Sequence, residues 1–423
     1  MQYTIHGVIV GDSITGRRGT FLTKRTPDSP RGRQMKLKRI LALLLCAVLL
    51  LAVAAGCNGS SDDPPPDDPV TSEEPPPEEP SATEDPDDKE AVQGIDFDAA
   101  FSAFSPDTVM VIAGEYSITW PELYYNIIGT LDNLVSSIGM FPDLSASIDG
   151  ITTYADMVLE FSVENAMTYR AIEYGAKLAD LTIGAEDLEM LRENYEELIA
   201  QYGGEEEFLK ILWEYDGIGS KELFEYLFHT GFLATLLFEE LYGAEGSLMT
   251  DEDMEAFTSF DGYLMAKHIL RMKTEDGDET PLEESEAILS QLKSYSGDDF
   301  ESFYDTLMHA HSEDTGLTMF PDGYLFQYGD MVMEFYDSCF DLEIGEFSGI
   351  VETEYGYHII YRIPINFDTI PSSRMRVSDY RTLRYITASG LFDYDLRMWT
   401  NALELVYTAE YESIDLALLF TWH

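Results

Sequence analysis

The apolar residues of this chain change period twice, and no other feature restricts its fold as much. Across 121–257 they recur at helical spacing. The stretch 185–202, for example, places Leu188, Leu191, Tyr195, Leu198, Ile199 and Tyr202 on one stripe. Helices are also predicted over 121–138, 152–179, 205–215 and 220–242. At Asp261 the pattern breaks, and 263–272 reads as a strand. Two helices follow. One opens at Thr280-Pro281 and carries Leu282, Ile288, Leu289 and Leu292; the other carries Phe300, Phe303, Tyr304, Leu307 and Met308. After a loop, 331–339 reads as a short helix. Strands are predicted over 347–353 and 357–363, around the turn Glu354-Tyr355-Gly356. The order β-α-α-α-β-β, with helices clustered on one face of a small sheet, makes an α+β unit. Beyond Pro371 the helical period returns over 378–405, and a last strand is expected over 406–411. A lone terminal strand needs a partner for its backbone. The strand pair predicted at 109–112 and 116–118 is the candidate, which would make the α+β unit an insertion in a helical domain. Two helix starts read as capping boxes: Thr119 with Pro121 and Glu122, and Thr280 with Pro281 and Glu283.

Ahead of this folded part lies a different kind of sequence. Lys36, Lys38 and Arg39 precede an apolar run over 40–55, and Ala54, Ala55 and Gly56 lead to Cys57. A basic start, an apolar run and a small-residue exit make a secretory signal. The run is short for a membrane span, which needs about 20 residues. Its Ala-Ala-Gly-Cys ending resembles a bacterial lipoprotein signal, which implies lipid attachment at Cys57. From 58 to 90 nearly every residue is Asp, Glu, Pro, Ser or Thr, with Pro64-Pro65-Pro66 and Pro75-Pro76-Pro77. Such a stretch cannot bury a core and serves as an extended tether. Residues 1–34 fit neither a signal nor a domain, so the expected start is Met35, with 1–34 a non-native upstream extension. The expected division is a signal at 35–56, the lipidated cysteine and linker at 57–103 and a helical part at 104–258. The α+β unit at 261–366 and a returning helix and strand at 370–423 complete it.

Charge narrows the partners. The chain has 79 Asp and Glu against 25 Lys and Arg, a net charge of -54. That argues against nucleic acid, whose binding rests on cations neutralising phosphates, and against docking on anionic lipid through protein charge. It favours basic partners. Cys46 and Cys57 belong to the apolar run, so Cys339 has no disulfide partner and reads as a small core residue. His309 and His311 stand two apart at a helix end and point differently, so no metal site with Asp314 is expected.

Across 266–363 five stretches occur in an order that resembles the parvulin type of peptidyl-prolyl isomerase. They are Ala266-Lys267-His268-Ile269-Leu270, Ser312-Glu313-Asp314, and Gly329-Asp330-Met331 with Phe335 and Phe340. Gly345-Glu346-Phe347-Ser348 and the run from Val351 to Ile360 follow. With the lipoprotein start, the helical part and the returning tail, the layout resembles extracytoplasmic foldase lipoproteins of the PrsA/SurA sort. The resemblance implies a parvulin-like sheet inserted in a mainly helical chaperone domain.

The resemblance also implies a site. His268, Asp314 and His358 would be the catalytic constellation, with Asp314 beside the rotating bond and the histidines as orienting groups. His268 alternates in phase with Leu264, Ala266 and Leu270, so it faces the apolar side of its strand. Met331, Phe335, Phe340 and Tyr355 would bind substrate, the first two sharing one helix face at a spacing of four. No cofactor is required. Expected partners are unfolded or partly folded secreted proteins with X-Pro bonds and the membrane, reached through lipid on Cys57; a homodimer is compatible with this. One departure stands out. The family has Gly-Gly-Asp/Glu-Leu-Gly before the pocket helix, and here the sequence is Phe320-Pro321-Asp322-Gly323-Tyr324-Leu325. Counting back from Met331, the family's pocket Leu falls on Gly323. The altered loop favours a holdase with a catalytically weak peptide-binding module. The retained site residues favour an active isomerase.

Overall fold

The computed structural model describes residues 95–274, 279–377 and 379–421, all within a compact unit that runs from Lys89 to His423. The signal, Cys46, Cys57, the tether and 1–34 lie outside the described residues. Seven strands occur among those described: β1 (Val109–Ala113), β2 (Tyr116–Thr119), β3 (Leu264–Met272), β4 (Tyr324–Phe326), β5 (Val351–Glu352), β6 (Gly356–Ile363) and β7 (Leu405–Tyr407). They form two antiparallel sheets, β2-β1-β7 and β4-β3-β6-β5. The fold class is α+β.

The first sheet packs on the helix Trp120–Ile138, whose Trp120, Leu123, Tyr124 and Ile127 bury beside Met110, Val111 and Ile118. The fold includes residues before the expected 104. The helix Phe97–Phe101 is tied in by Tyr124, whose hydroxyl donates to the Phe97 carbonyl at 2.8 Å, and by Trp120 Nε1, which donates to the Phe101 carbonyl at 2.6 Å. At the other end, β7 pairs with β1 through Val111↔Tyr407 and Ile112↔Val406. Two short helices then follow, Ala409–Glu412 and Leu416–Leu419, where the sequence had suggested strand to 411. Leu416 and Phe420 join the first core, and that burial ends the strand early.

The expected capping box at Thr119 does not form, since no side-chain bond caps that helix. Glu122 is instead drawn into the core by Arg170, which also donates to Glu173 at 3.0 Å and to the Ser117 carbonyl at 2.9 Å. A buried guanidinium needs its counter-charge, and a carboxylate held there cannot also reach back to cap the helix start. Burial, opposed by Arg170, pushes the Glu122 carboxyl up to about 7. The second expected box also shifts. Glu279 is the cap residue before Thr280–Ser294, and it makes no side-chain cap bond. Capping boxes do form at Thr153 with Asp156 and at Thr250 with Asp253.

The second sheet is covered on both faces, not one. Met265, Ile269, Ile359, Tyr361 and Ile363 face the helices Thr280–Ser294 and Phe300–His311 and meet Ile288, Leu292, Tyr304 and Leu307. Leu264, Ala266, Phe326 and Ile360 face the opposite way and meet Phe335, Tyr336 and Cys339 of the helix Met333–Phe340. The period-2 alternation of β3 and β6 supplies both faces. The first of these cores continues into the surrounding helices through Tyr242, Met249, Met254, Leu383 and Ala388. Arg384 fastens the same junction, with bonds of 2.9 Å to Asp251, 2.8 Å to the Met249 carbonyl and 2.7 Å to Asp368.

Three further expectations change. The loop before the pocket helix contains β4, an edge strand whose apolar Tyr324-Leu325-Phe326 had no visible alternation. Met331 precedes its helix, which starts at Met333, so its spacing of four from Phe335 is not a helical one. The strand expected over 347–353 reduces to Val351–Glu352 and one bridge between Phe347 and Tyr361. Among the described residues no helix is long and apolar enough to cross a membrane.

Candidate active site

The register of the second sheet brings the histidines together. Leu270 of β3 lies opposite His358 of β6, and His268 lies opposite Ile360, so the histidines are diagonal neighbours on one face. Both are buried, at 8% and 4% exposure. Their Nδ1 atoms are 3.1 Å apart, and their rings stack with centroids 5.2 Å apart. Phe335 sets its edge against both, 5.2 Å from His268 and 5.5 Å from His358.

Asp314 arrives from the turn after the helix Phe300–His311. It is the cap of a short 3-10 turn, Thr315–Thr318, and its Oδ1 accepts from the Gly316 N–H at 2.9 Å. Its Oδ2 lies 3.0 Å from His268 Nε2 and accepts from the Tyr324 hydroxyl at 2.5 Å. Asp314 is therefore a half-buried, fully engaged carboxylate, not a simple loop residue. Burial works to raise its pKa. Hydrogen bonds from His268 and Tyr324, with smaller help from the His268 charge and the Gly316 N–H, outweigh burial and hold it at about 2, below the ordinary 3.8.

One proton is fixed by these contacts. A carboxylate only accepts, so His268 carries a hydrogen on Nε2. The two Nδ1 atoms face each other and share a hydrogen between them. His358 Nε2 is hydrogen-bonded to Thr353 Oγ1 at 2.9 Å, and that hydroxyl accepts from the Tyr355 N–H at 3.1 Å. Burial, and then the neighbouring His268, lower the His358 pKa from 6.5 to about 3, which keeps the His358 ring neutral.

The residues expected in the binding pocket divide. Met331 packs, partly buried, on the cluster that holds Phe335. Phe340 does not join them. It is 60% exposed and stacks on Tyr336 at the far end of the helix, because five helical positions turn it away from Phe335. The Tyr355 side chain is 57% exposed, and only its backbone N–H reaches the histidine network. Gly323 cannot carry a pocket side chain: its φ is +106°, and a Cβ there would stand 2.8 Å from the Ala266 carbonyl oxygen. Cys339 is buried and unpaired, with its thiol pushed by burial up to about 12. Among the described residues no group of three His, Cys, Asp or Glu side chains could hold a metal ion.

Two members of the network were not singled out from sequence. Thr353 sits inside a matched motif, so its spacing of five from His358 could have flagged it. Tyr324 carried no such signal, since its role depends on β4 lying against β3.

Residues 253–362 match the PPIC-type PPIASE domain family. This part of the chain is thus a parvulin-type peptidyl-prolyl cis-trans isomerase domain. The chain is a relative of the PrsA foldases. It is 37% identical to the Foldase protein PrsA of Halalkalibacterium halodurans over 139 residues, which are 30% of this chain and 35% of the relative. It is 28% identical to the Foldase protein PrsA of Oceanobacillus iheyensis over 204 residues, 48% of this chain and 58% of the relative. The matches thus span about a third and somewhat over half of the two relatives. The solved structure of peptidylprolyl isomerase (PrsA) from Bacillus anthracis is 20% identical. Its match covers 54% of this chain and 94% of that chain, with a TM-score of 0.22.

Proposed function

We propose that the chain is an extracytoplasmic, lipid-anchored foldase. Its parvulin domain catalyses cis/trans isomerisation of X-Pro bonds in secreted proteins, and the surrounding helices hold unfolded clients as an inserted domain's frame. The observation that carries this reading is the unbroken line of hydrogen bonds from Asp314 through His268 and His358 to Thr353. Lipid attachment at Cys57 rests on the signal-like sequence before it and the acidic tether after it.

The chemistry asks little. Rotation of an X-Pro bond meets a barrier of about 18–20 kcal/mol, because resonance gives the bond double-bond character and places negative charge on the carbonyl oxygen. A fixed carboxylate in a partly dry site disfavours that charge-separated form and so lowers the barrier to twisting. Asp314 supplies the charge, and the histidine pair keeps it oriented through His268 Nε2. Phe335 and Met331 supply the apolar contact for the prolyl ring. No covalent step is needed, and the Cys339 thiol is held protonated in the core.

A weak peptide-binding module is the second reading, favoured by the side-chain-free position at Gly323. A proline-limited refolding reaction separates the two. The full chain should accelerate it in catalytic amounts. Acceleration only at stoichiometric amounts would establish the binding module instead.

A further inference from the structure

We propose that Tyr324 is a positioning residue of this isomerase site: its ring replaces the pocket side chain that Gly323 cannot carry, and its hydroxyl holds Asp314. The inference rests on the isomerase reading above and concerns how this chain departs from its relatives.

The argument begins with space. At Gly323 the positive φ and the Ala266 carbonyl exclude any side chain. The next residue lies opposite Ala266 in the β3–β4 pairing, so its side chain stands on the face that carries His268. Tyr324 fills that place. Its ring is buried, sets its edge 5.4 Å from the His268 ring and packs 4.5 Å from Phe320. It therefore packs edge-on against His268, as Phe335 also does.

The hydroxyl end is equally specified. It reaches Asp314 Oδ2 at 2.5 Å. That approach requires a glycine at 316, since a Cβ there would stand 2.0 Å from the Tyr324 hydroxyl oxygen. Two glycines thus serve one phenol, one by vacating the wall and one by clearing the hydroxyl.

The groups facing Asp314 are few. His268 comes from β3, Tyr324 from β4 and the Gly316 N–H from its own turn, with His358 behind His268. The adjacent Glu313 turns away to Arg271 and the Met272 N–H. Removing the phenol hydroxyl leaves His268 as the one side-chain donor on Oδ2 among the described residues, so the carboxyl takes up a proton more readily.

The test uses the full chain and two readouts: the carbon-13 titration of the Asp314 carboxyl, and kcat/KM for a proline peptide against pH. Tyr324→Phe keeps the ring, so KM should stay as it was. The carboxyl midpoint and the acid limb of kcat/KM should both move up by about one pH unit. Tyr324→Leu should move the midpoint likewise and also raise KM. Gly316→Ala, which pushes the hydroxyl aside, should reproduce the Tyr324→Phe shift and serves if that variant does not fold. A Tyr324→Phe protein that loses stability while the midpoint stays in place would reduce Tyr324 to a packing residue and overturn the proposal. Should the unmutated chain show no isomerase activity, the functional reading fails, and the carboxyl titration alone still decides whether Tyr324 holds Asp314.

Discussion

Replacing Asp314 by Ala should cost this protein both activity and stability, and the structure sets the size of each. The substitution removes three accepted hydrogen bonds: from His268 Nε2, the Tyr324 hydroxyl and the Gly316 N–H. Two of these donors belong to buried side chains and would be left without their acceptor. A buried donor so stranded costs about 1–3 kcal/mol, and loss of a helix-turn cap adds about 1 kcal/mol. The total is about 3–7 kcal/mol, a large part of the roughly 5–15 kcal/mol that holds an ordinary domain folded. From sequence alone, as a loop carboxylate, Asp314 would have been almost free to remove. The activity loss should be at least tenfold, about 1.4 kcal/mol in the barrier. The assay must therefore separate the two effects. Urea unfolding followed by circular dichroism gives the stability and the folded fraction at the assay temperature. Proline-peptide isomerisation is then expressed per folded molecule. A stability change below about 0.5 kcal/mol, no more than an ordinary surface substitution, would mean that the Asp314 network does not exist as described. Full activity per folded molecule would remove Asp314 from the catalytic step.

The buried His358 predicts acid sensitivity of a definite sign. Its pKa is lowered from 6.5 to about 3, so its contribution is complete above 6.5 and is lost as pH falls toward 3, because the unfolded chain takes up a proton that the folded one resists. The slope is about 1.4 kcal/mol per pH unit inside that window. His358→Gln should flatten it, and urea midpoints of both proteins at several pH values would read this; parallel slopes would contradict it. At alkaline pH Arg170→Ala should cost about 3–5 kcal/mol, since Glu122 would be stranded as a charge in the core. That cost should shrink as pH is lowered and Glu122, already pushed up to about 7, becomes neutral; a penalty that does not change with pH would show that the charge is not the cause. Cys57→Ser should abolish incorporation of labelled fatty acid; label retained on that variant would exclude Cys57 as the lipid site.

The division between what was legible and what was not follows the range of the interactions. Periodicity is local, so the helices across 120–242 and the strands β3 and β6 could be placed to within a few residues. The matched motifs carried the isomerase class, and the phase of β3 placed His268 on the right face. Partnership is not local. Thr119 and Glu122 have the spacing of a capping box, yet Arg170, 48 residues beyond Glu122, decides that Glu122 is a core counter-ion. Phe340 carries a matched identity, yet it lies five positions beyond Phe335 on its helix and so faces outward.

The sequence by itself determined the α+β class, the switch from helical to strand period at Asp261, and the residue types that an isomerase site of this kind needs. Only the tertiary structure decided which of them meet. β4 is three residues long and shows no alternation, so its existence depends on an edge of β3 being open to receive it. With that pairing comes Tyr324, and with Tyr324 the second donor on Asp314. The core that runs from β3 into Met254 and Leu383 likewise depends on segments more than 100 residues apart in the chain. A short apolar segment has no preference of its own between loop, helix and strand. The backbone it lands beside supplies one, and that backbone is set by contacts that local pattern does not encode.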